Sequence, residues 1–330
     1  MQTRPLASTG RTVSAIGLGT WQLGADWGAV DDDDALRVLA TSADAGVTLF
    51  DTADVYGDGR SEQTIGRFLG ARAGHGITVA TKMGRRMAQE PENYTPENFR
   101  AWTERSRRNL GVETLDLVQL HCPPTAVIED GATYDALDDL VADGAIAAYG
   151  VSVETCAQAL AAIARPNVTN VQIILNPFRL KPLDDVLPAA ADAGVAVFAR
   201  VPLASGLLSG RYTAQTTFAP DDHRAYNRHG EAFDRGETFS GVDYETGLAA
   251  AQELSAALPE GVSLPAASLA WIAALPGVTS VIPGARNPAQ AQVNADAGAL
   301  LDGGFDLDAF DAVVRRVYDE RLRADIHPHW

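Results

Sequence analysis

The sequence predicts an α/β chain folded as a (β/α)8 TIM barrel. Three observations carry the prediction. Eight short apolar runs alternate with helix-like segments along the 330 residues. The runs are nearly continuous in apolar character, as expected of parallel strands covered on both faces. The first strand-to-helix turn, GLGTWQLG (17–24), lacks the GxGxxG spacing that an open dinucleotide-binding sheet carries at that point.

Taken in order, residues 1–14 read as an N-terminal β-hairpin that turns at Ser8, Thr9, Gly10 and Arg11 and plugs or flanks the barrel. SAIGLGTW (14–21) is the first barrel strand. Asp31 to Asp34 set acid groups at the positive end of the helix ALRVLATSADAG (35–46), which Gly46 stops. Ser61 and Glu62 open a helix through Leu69, followed by a strand over 77–80. Thr95 is an N-cap and Pro96 a first helical residue, introducing a helix over 98–111. Strand LDLVQL (115–120), helix 134–143 and strand AIAAYGVS (145–152) follow, then helix 154–164, strand 168–176 and helix 183–193. Strand VAVFARVP (195–202), helices 247–257 and 265–275, and strand VTSVIPG (278–284) complete the set.

Two stretches depart from this alternation. Residues 209–246 form a long loop after strand 7, longer than ordinary barrel loops, and read as a lid on the active face. Residues 305–330 form a C-terminal helix and tail; the closing DIHPHW either reaches a substrate pocket or packs on the barrel. With glycine spread through turns rather than gathered in a linker, 1–330 reads as a single barrel domain.

Composition narrows the function classes. The chain is 46% apolar, so its core needs neither disulfides nor a structural metal; Cys122 and Cys156 lack ligand spacing. Twenty-six Lys and Arg against 43 Asp and Glu give a formal charge of −17, which argues against nucleic acid and anionic membrane as partners. No run is long enough to span a bilayer and no apolar targeting core precedes the hairpin, so a reducing cytoplasm is expected. The sequence leaves the oligomeric state open, with a monomer as the default.

The chemistry concentrates where three successive apolar runs end. LFDTADVYG (49–57) carries Asp51 and Tyr56, ITVATKMG (77–84) carries Lys82, and LDLVQLH (115–121) carries His121. Parallel neighbouring strands bring such ends to one face. Each residue alone has an ordinary structural reading, but together they form a proton-transfer site. A free phenol is a poor proton donor near neutrality, and the Lys82 ammonium beside Tyr56 is expected to lower its pKa. Asp51 would hold Lys82, and His121 would orient a carbonyl oxygen.

These segments resemble the catalytic tetrad of the aldo-keto reductase family, and GLGTW, GVS, PLASGLLSG and VIPGARNPAQ resemble its cofactor-binding segments, in consistent order over nearly the whole chain. Within the family the resemblance is to the bacterial, long-chain type related to the potassium-channel beta-subunit-like branch. The resemblance implies a (β/α)8 barrel that binds NADPH, with NADH second, and interconverts aldehydes or ketones, aldoses among them, and alcohols without a metal. It implies Tyr56 as general acid with Asp51, Lys82 and His121 as partners. It places Gly19, Thr20, Trp21, Asp51, Ser152, Gln172, Arg200, Pro202, Leu203, Ser205, Gly206, Leu208, Gly210, Gly284, Arg286, Gln290 and Asn294 at the cofactor.

Three departures stand out. Val153 follows Ser152 where the family has asparagine, so one hydrogen bond to the carboxamide is lost. Arg200 stands where many members stack an aromatic, and a guanidinium plane can replace it or serve as an ion pair. Gly284 and Gln290 occupy positions where the family has lysine and arginine, leaving Arg286 as that segment's cation for a 2′-phosphate.

Trp21, Trp27, Phe50, Tyr94 and Phe178 are candidate walls of the substrate pocket, with Trp330 approaching from the tail. Two other enzyme classes compete: a Schiff-base aldolase or dehydratase on Lys82, disfavoured by the adjacent Asp51, and a sugar enzyme needing a second carboxylate across the mouth. A nucleotide-binding regulatory or redox-sensing subunit is the non-enzymatic alternative.

Overall fold

The computed structural model describes residues 1–24, 30–72 and 74–330. Trp27 lies outside the described residues. A short antiparallel hairpin, β1 (Thr3–Pro5) and β2 (Thr12–Ser14), comes first, with Gly10 in the left-handed region at its turn. Eight parallel strands follow: β3 (Leu18–Gly19), β4 (Leu49–Asp51), β5 (Thr78–Met83), β6 (Leu117–His121), β7 (Tyr149–Ser152), β8 (Val168–Ile174), β9 (Ala196–Arg200) and β10 (Val278–Val281). They pair in sequence order from β3 to β10. Parallel bridges from Ile16 to Val281 and from Gly19 to Gly284 close the barrel.

The first strand is shorter than expected, and residues Trp21–Gly24 form a 3-10 turn instead. The closure explains why. A Cβ on Gly19 would sit 2.9 Å from the Ile282 carbonyl oxygen, so the chain passes β10 too closely for side chains and regular pairing ends there.

Helices cover the outside: α1 (Asp32–Asp44), α2 (Arg60–Gly70), α3 (Pro96–Leu110), α4 (Thr125–Glu129), α5 (Gly131–Ala142), α6 (Cys156–Ile163), α7 (Val186–Ala193), α8 (His223–Tyr226), α9 (Tyr244–Ala256), α10 (Leu264–Ala274), α11 (Pro288–Leu301), α12 (Leu307–Arg321) and α13 (Arg323–Ile326). Their starts follow capping chemistry. Asp31 accepts from the Asp34 amide, and Thr95 from the Asn98 amide with Pro96 beside it. α5 starts three residues earlier than the apolar pattern suggests because Asp130 caps it through the Ala132 amide.

Side-chain alternation along the strands sets the chemistry. Leu49, Ala80, Leu117, Ala148, Ala196 and Phe198 form one buried cluster with Leu6 and Val13, so the hairpin plugs that end of the barrel. Two residues further along the same faces come Asp51, Lys82, Gln119 and Arg200. The interior therefore changes from apolar to polar towards the C-terminal strand ends, where barrel enzymes place their chemistry. The outward face of the strands packs on the helices through residues such as Phe50, Val118, Val171 and Val197.

Between β9 and α9 the chain runs through short helical turns rather than strands, matching the expected long loop. Tyr212, Phe218, Phe239 and Tyr244 pack together there, and Arg228 lies over the last three rings at 5.0 to 5.8 Å. The tail helix α12 packs on α9 and α10. Trp330 is buried under the guanidinium of Arg179, 4.2 Å from its ring, and donates to Asp234 at 3.1 Å. The tail thus packs on the long loop, and Trp330 does not line the cavity described next.

Candidate active site

Tyr56 stands in the turn between β4 and α2, and the left-handed residues Gly57, Asp58 and Gly59 reverse the chain just after it. Lys82 on β5 is completely enclosed and donates to Asp51 Oδ1 at 2.5 Å, to the Thr52 carbonyl at 2.8 Å and to Tyr56 Oη at 3.4 Å. The His121 ring meets Tyr56 edge-on, with centroids 5.9 Å apart, and its Nδ1 has no partner among the described residues. The four residues singled out at the strand ends therefore converge.

Burial disfavours the Lys82 ammonium, but Asp51 and then Tyr56 outweigh it and the pKa is raised. Tyr56 departs from the expected direction. Its burial raises the phenol pKa by more than the Lys82 ammonium lowers it, with the Asp51 and Glu237 carboxylates adding to the rise. His121 is held well below its ordinary value, first by burial and then by Arg85, Lys82 and Arg200, so its imidazole is neutral.

Two buried amides fix the second oxygen of Asp51. Gln172 donates to Oδ2 at 2.7 Å and Gln119 at 3.2 Å, and the two amides bond each other at 3.1 Å. Gln119 escaped sequence reasoning, although a glutamine inside the apolar run LDLVQLH is itself a sign of an inward polar role.

A cavity of about 810 Å³ opens above this floor. Asp51, Tyr56 and His121 line one end, and Ser152, Gln172 and Arg200 continue the wall. Gly19, Thr20, Trp21, Pro202, Leu203, Ser205, Gly206, Gly284, Arg286, Gln290 and Asn294 carry it to the start of α11. Leu208 and Gly210 do not line it. Leu208 is wholly buried in the core, and Gly210 lies exposed past the turn. The turn Ala204–Ser209 carries Ser205 and Gly206 in the left-handed region, which turns Leu207 and Leu208 inward.

Among the described candidate substrate aromatics only Trp21 reaches this wall, stacked 5.9 Å from Tyr56. Phe50 packs on Phe68, Tyr94 on Phe99 and Trp102, and Phe178 is fully buried; these rings fill core. Tyr226 and Phe233 line the cavity instead, from the long loop; which of its side chains face the cavity no periodicity reveals.

Arg200 is both wall and ion pair. It pairs with Glu154 at 2.8 Å and Glu237 at 2.7 Å, and donates to the Val153 carbonyl at 2.9 Å. Arg85 joins Glu154 at 3.1 Å, so two guanidiniums and two carboxylates alternate around a ring. Cys122, Glu154 and Glu237 bring donor atoms within 4.8 Å of one another, but both carboxylates are already engaged by guanidinium, and burial pushes the Cys122 thiol up to about 12.

At the far end, Asn287 caps α11 through the Gln290 amide and Gln290 accepts from the Arg286 amide at 2.8 Å. The Arg286 side chain is exposed on the cavity wall, paired with no carboxylate among the described residues. Gln22, another residue the sequence did not single out, lies against the bare Gly284: a Cβ there would fall 2.1 Å from its Oε1.

Residues 15–306 match the aldo/keto reductase family. The chain belongs to this family. The aldo-keto reductase YhdN of Bacillus subtilis is 30% identical over 297 residues, covering 88% of this chain and 86% of that protein. An uncharacterized oxidoreductase of Mycobacterium tuberculosis is 34% identical over 311 residues, covering 92% and 90%. The structure of a glycerol dehydrogenase from Gluconobacter oxydans superposes with a TM-score of 0.79 at 31% identity, over 99% of this chain and 98% of that one. Among the described residues no helix is long and apolar enough to cross a membrane.

Proposed function

We propose that this aldo/keto reductase reversibly reduces aldehydes or ketones to alcohols with NADPH, using Tyr56 as general acid. The observation that carries the reading is the contact chain from Asp51 through Lys82 to Tyr56 beneath a cavity that also holds His121.

The cavity fits the cofactor. It runs as one continuous wall from the Asp51 floor to α11, with left-handed Ser205 and Gly206 presenting backbone at its middle and the α11 start at its end. Ser152 and Gln172 would hold a carboxamide, Arg200 would flank the ring, and Pro202, Leu203, Ser205 and Gly206 would cover the pyrophosphate. Gly284, Arg286, Gln290 and Asn294 would take the adenosine end, with the exposed Arg286 guanidinium suited to a 2′-phosphate. NADPH, when bound, supplies the hydride.

The chain's own residues handle the proton. Neutral His121 donates a hydrogen bond to the carbonyl oxygen and aims it at Tyr56. Tyr56 protonates that oxygen as negative charge develops, and Lys82, fixed by Asp51, stabilises the phenolate left behind. Both donors are in place before the charge appears, so little reorganisation is required. Similarity to a glycerol dehydrogenase supports hydroxylated substrates, aldoses among them. We further read the chain as one catalytic domain, working in the cytoplasm without a metal, of the branch related to potassium-channel beta subunits.

The test is NADPH and NADH oxidation at 340 nm with a panel of aldehydes and ketones. Turnover abolished in Tyr56→Phe supports the reading, and a KM rise in Arg286→Ala confined to NADPH supports the phosphate contact. NADPH binding with no turnover of any carbonyl would replace it with a regulatory, nucleotide-binding role.

A further inference from the structure

The ring of Arg85, Glu154, Arg200 and Glu237 has one loose corner. Three of its contacts measure 2.7 to 3.1 Å, whereas Arg85 Nη1 and Glu237 Oε1 stand 4.0 Å apart. That corner faces the reacting end: Arg85 and Glu237 both line the cavity, while Glu154 does not. Glu237 is close enough to act on the Tyr56 phenol, and Arg85 on the His121 imidazole. The Nε of Arg85 is buried with no partner among the described residues.

We propose that Arg85 and Glu237 are specificity-determining residues that bind a hydroxyl next to the reacting carbonyl, and so select neutral α-hydroxy aldehydes and ketones. A hydroxyl can do what the corner lacks: it donates to Glu237 and accepts from Arg85 across the same gap. The ring's charges cancel, so a carboxylate or phosphate on the substrate finds a Glu237 that repels it as closely as Arg85 attracts it. A plain alkyl group is rejected for another reason. It would cover Arg85 and Glu237, remove them from water and return no hydrogen bond, which is the arrangement that discriminates most strongly between an alcohol and its deoxy analogue. Glu154 and Arg200 keep the two groups in place. The proposal rests on the carbonyl-reductase reading above.

The experiment compares kcat/KM for glyceraldehyde and propanal, which share three carbons, in wild type, Glu237→Gln and Arg85→Met, with NADPH affinity measured by fluorescence in each. The expected wild-type preference for glyceraldehyde is about 100-fold or more, and each variant lowers the glyceraldehyde-to-propanal ratio at least about tenfold. A wild-type ratio near one, or variants that leave the ratio unchanged, overturns the proposal and leaves the reductase reading intact. Turnover of neither aldehyde, nor of any carbonyl in the wider panel, overturns both. The wild-type ratio decides even if a variant does not fold.

Discussion

Lys82 and Asp51 meet at 2.5 Å, and the Lys82 and Asp51 side chains are only 1% and 4% exposed. Such a pair is stable because each charge is compensated by the other, and Gln172 and Gln119 satisfy the remaining carboxylate oxygen. Removing one partner leaves the other charge buried. Lys82→Met is expected to lower stability by about 3–5 kcal/mol and to lower kcat by orders of magnitude, whereas Lys82→Met combined with Asp51→Asn recovers much of the stability and none of the rate. Denaturant unfolding and turnover of both variants check this; parallel recovery of rate and stability would mean that Lys82 serves only the fold.

The opposite displacements of Tyr56 and His121 predict a one-sided pH profile. The phenol is raised above its ordinary value of 10.0 and the imidazole lies well below 6.5. Tyr56 must carry its proton in reduction, and His121 must be neutral with one N–H. Reductive kcat/KM is therefore flat from about pH 6 to about pH 9, with no inflection near the ordinary histidine value, while oxidation of the alcohol rises with pH as the phenol ionises. An acid limb near neutrality that vanishes in a His121 variant would contradict the neutral imidazole.

The barrel was legible because its signals are local: apolar runs, the acidic start Asp31 to Asp34, the cap at Thr95, and glycines at turns. The tetrad was legible because Asp51, Lys82 and His121 end successive strands, so adjacency in sequence order became adjacency in space. The long loop's share of the cavity wall was not. Glu237, Tyr226 and Phe233 come from the long loop, whose path is set by tertiary contacts such as Asn176 donating to Ser240 Oγ at 2.7 Å, and no periodicity encodes those. The direction of the Tyr56 shift was missed for a related reason: proximity to Lys82 can be read from motif spacing, but desolvation depends on everything packed around the phenol.

Asp54, between Asp51 and Tyr56, is fully buried and both its carboxylate oxygens lack partners among the described residues. Burial, then Glu62, raise its pKa to about 7 against the pull of Arg86 and Arg105. A raised carboxyl pKa gives stability that is complete below the unfolded value and is lost as pH rises through the folded one. Asp54→Asn removes that loss. Its stability advantage over wild type is expected to widen from about pH 4.5 to about pH 7.5 and then level off, approaching at most ~4 kcal/mol, with Tm following. A Tm difference that is constant over this range would show that Asp54 carries no such proton.

Trp330 ties the tail to the cavity wall. The guanidiniums of Arg179 and Arg235 lie over its indole, 4.2 and 5.6 Å away, and Gly236 and Gly241, in the segment that carries Glu237, lie against it. A Cβ on Gly241 would fall 2.3 Å from the indole, so the loop passes over the ring with no space between them. Arg179 in turn donates to the Glu154 carbonyl at 2.7 Å, below the ion-pair ring. Loss of the indole therefore releases the segment that presents Glu237 to Arg200 and to the cavity. Trp330→Ala is expected to raise substrate KM roughly tenfold while lowering kcat less, since Tyr56, Lys82 and Asp51 lie on other elements, and Trp330→Phe to restore most of the KM by keeping a ring over Arg179. Steady-state kinetics with limited proteolysis of the 234–241 segment decide the matter: equal losses of kcat and kcat/KM, or an unchanged KM with a freshly cleavable loop, would show that the tail supports the fold without shaping the site.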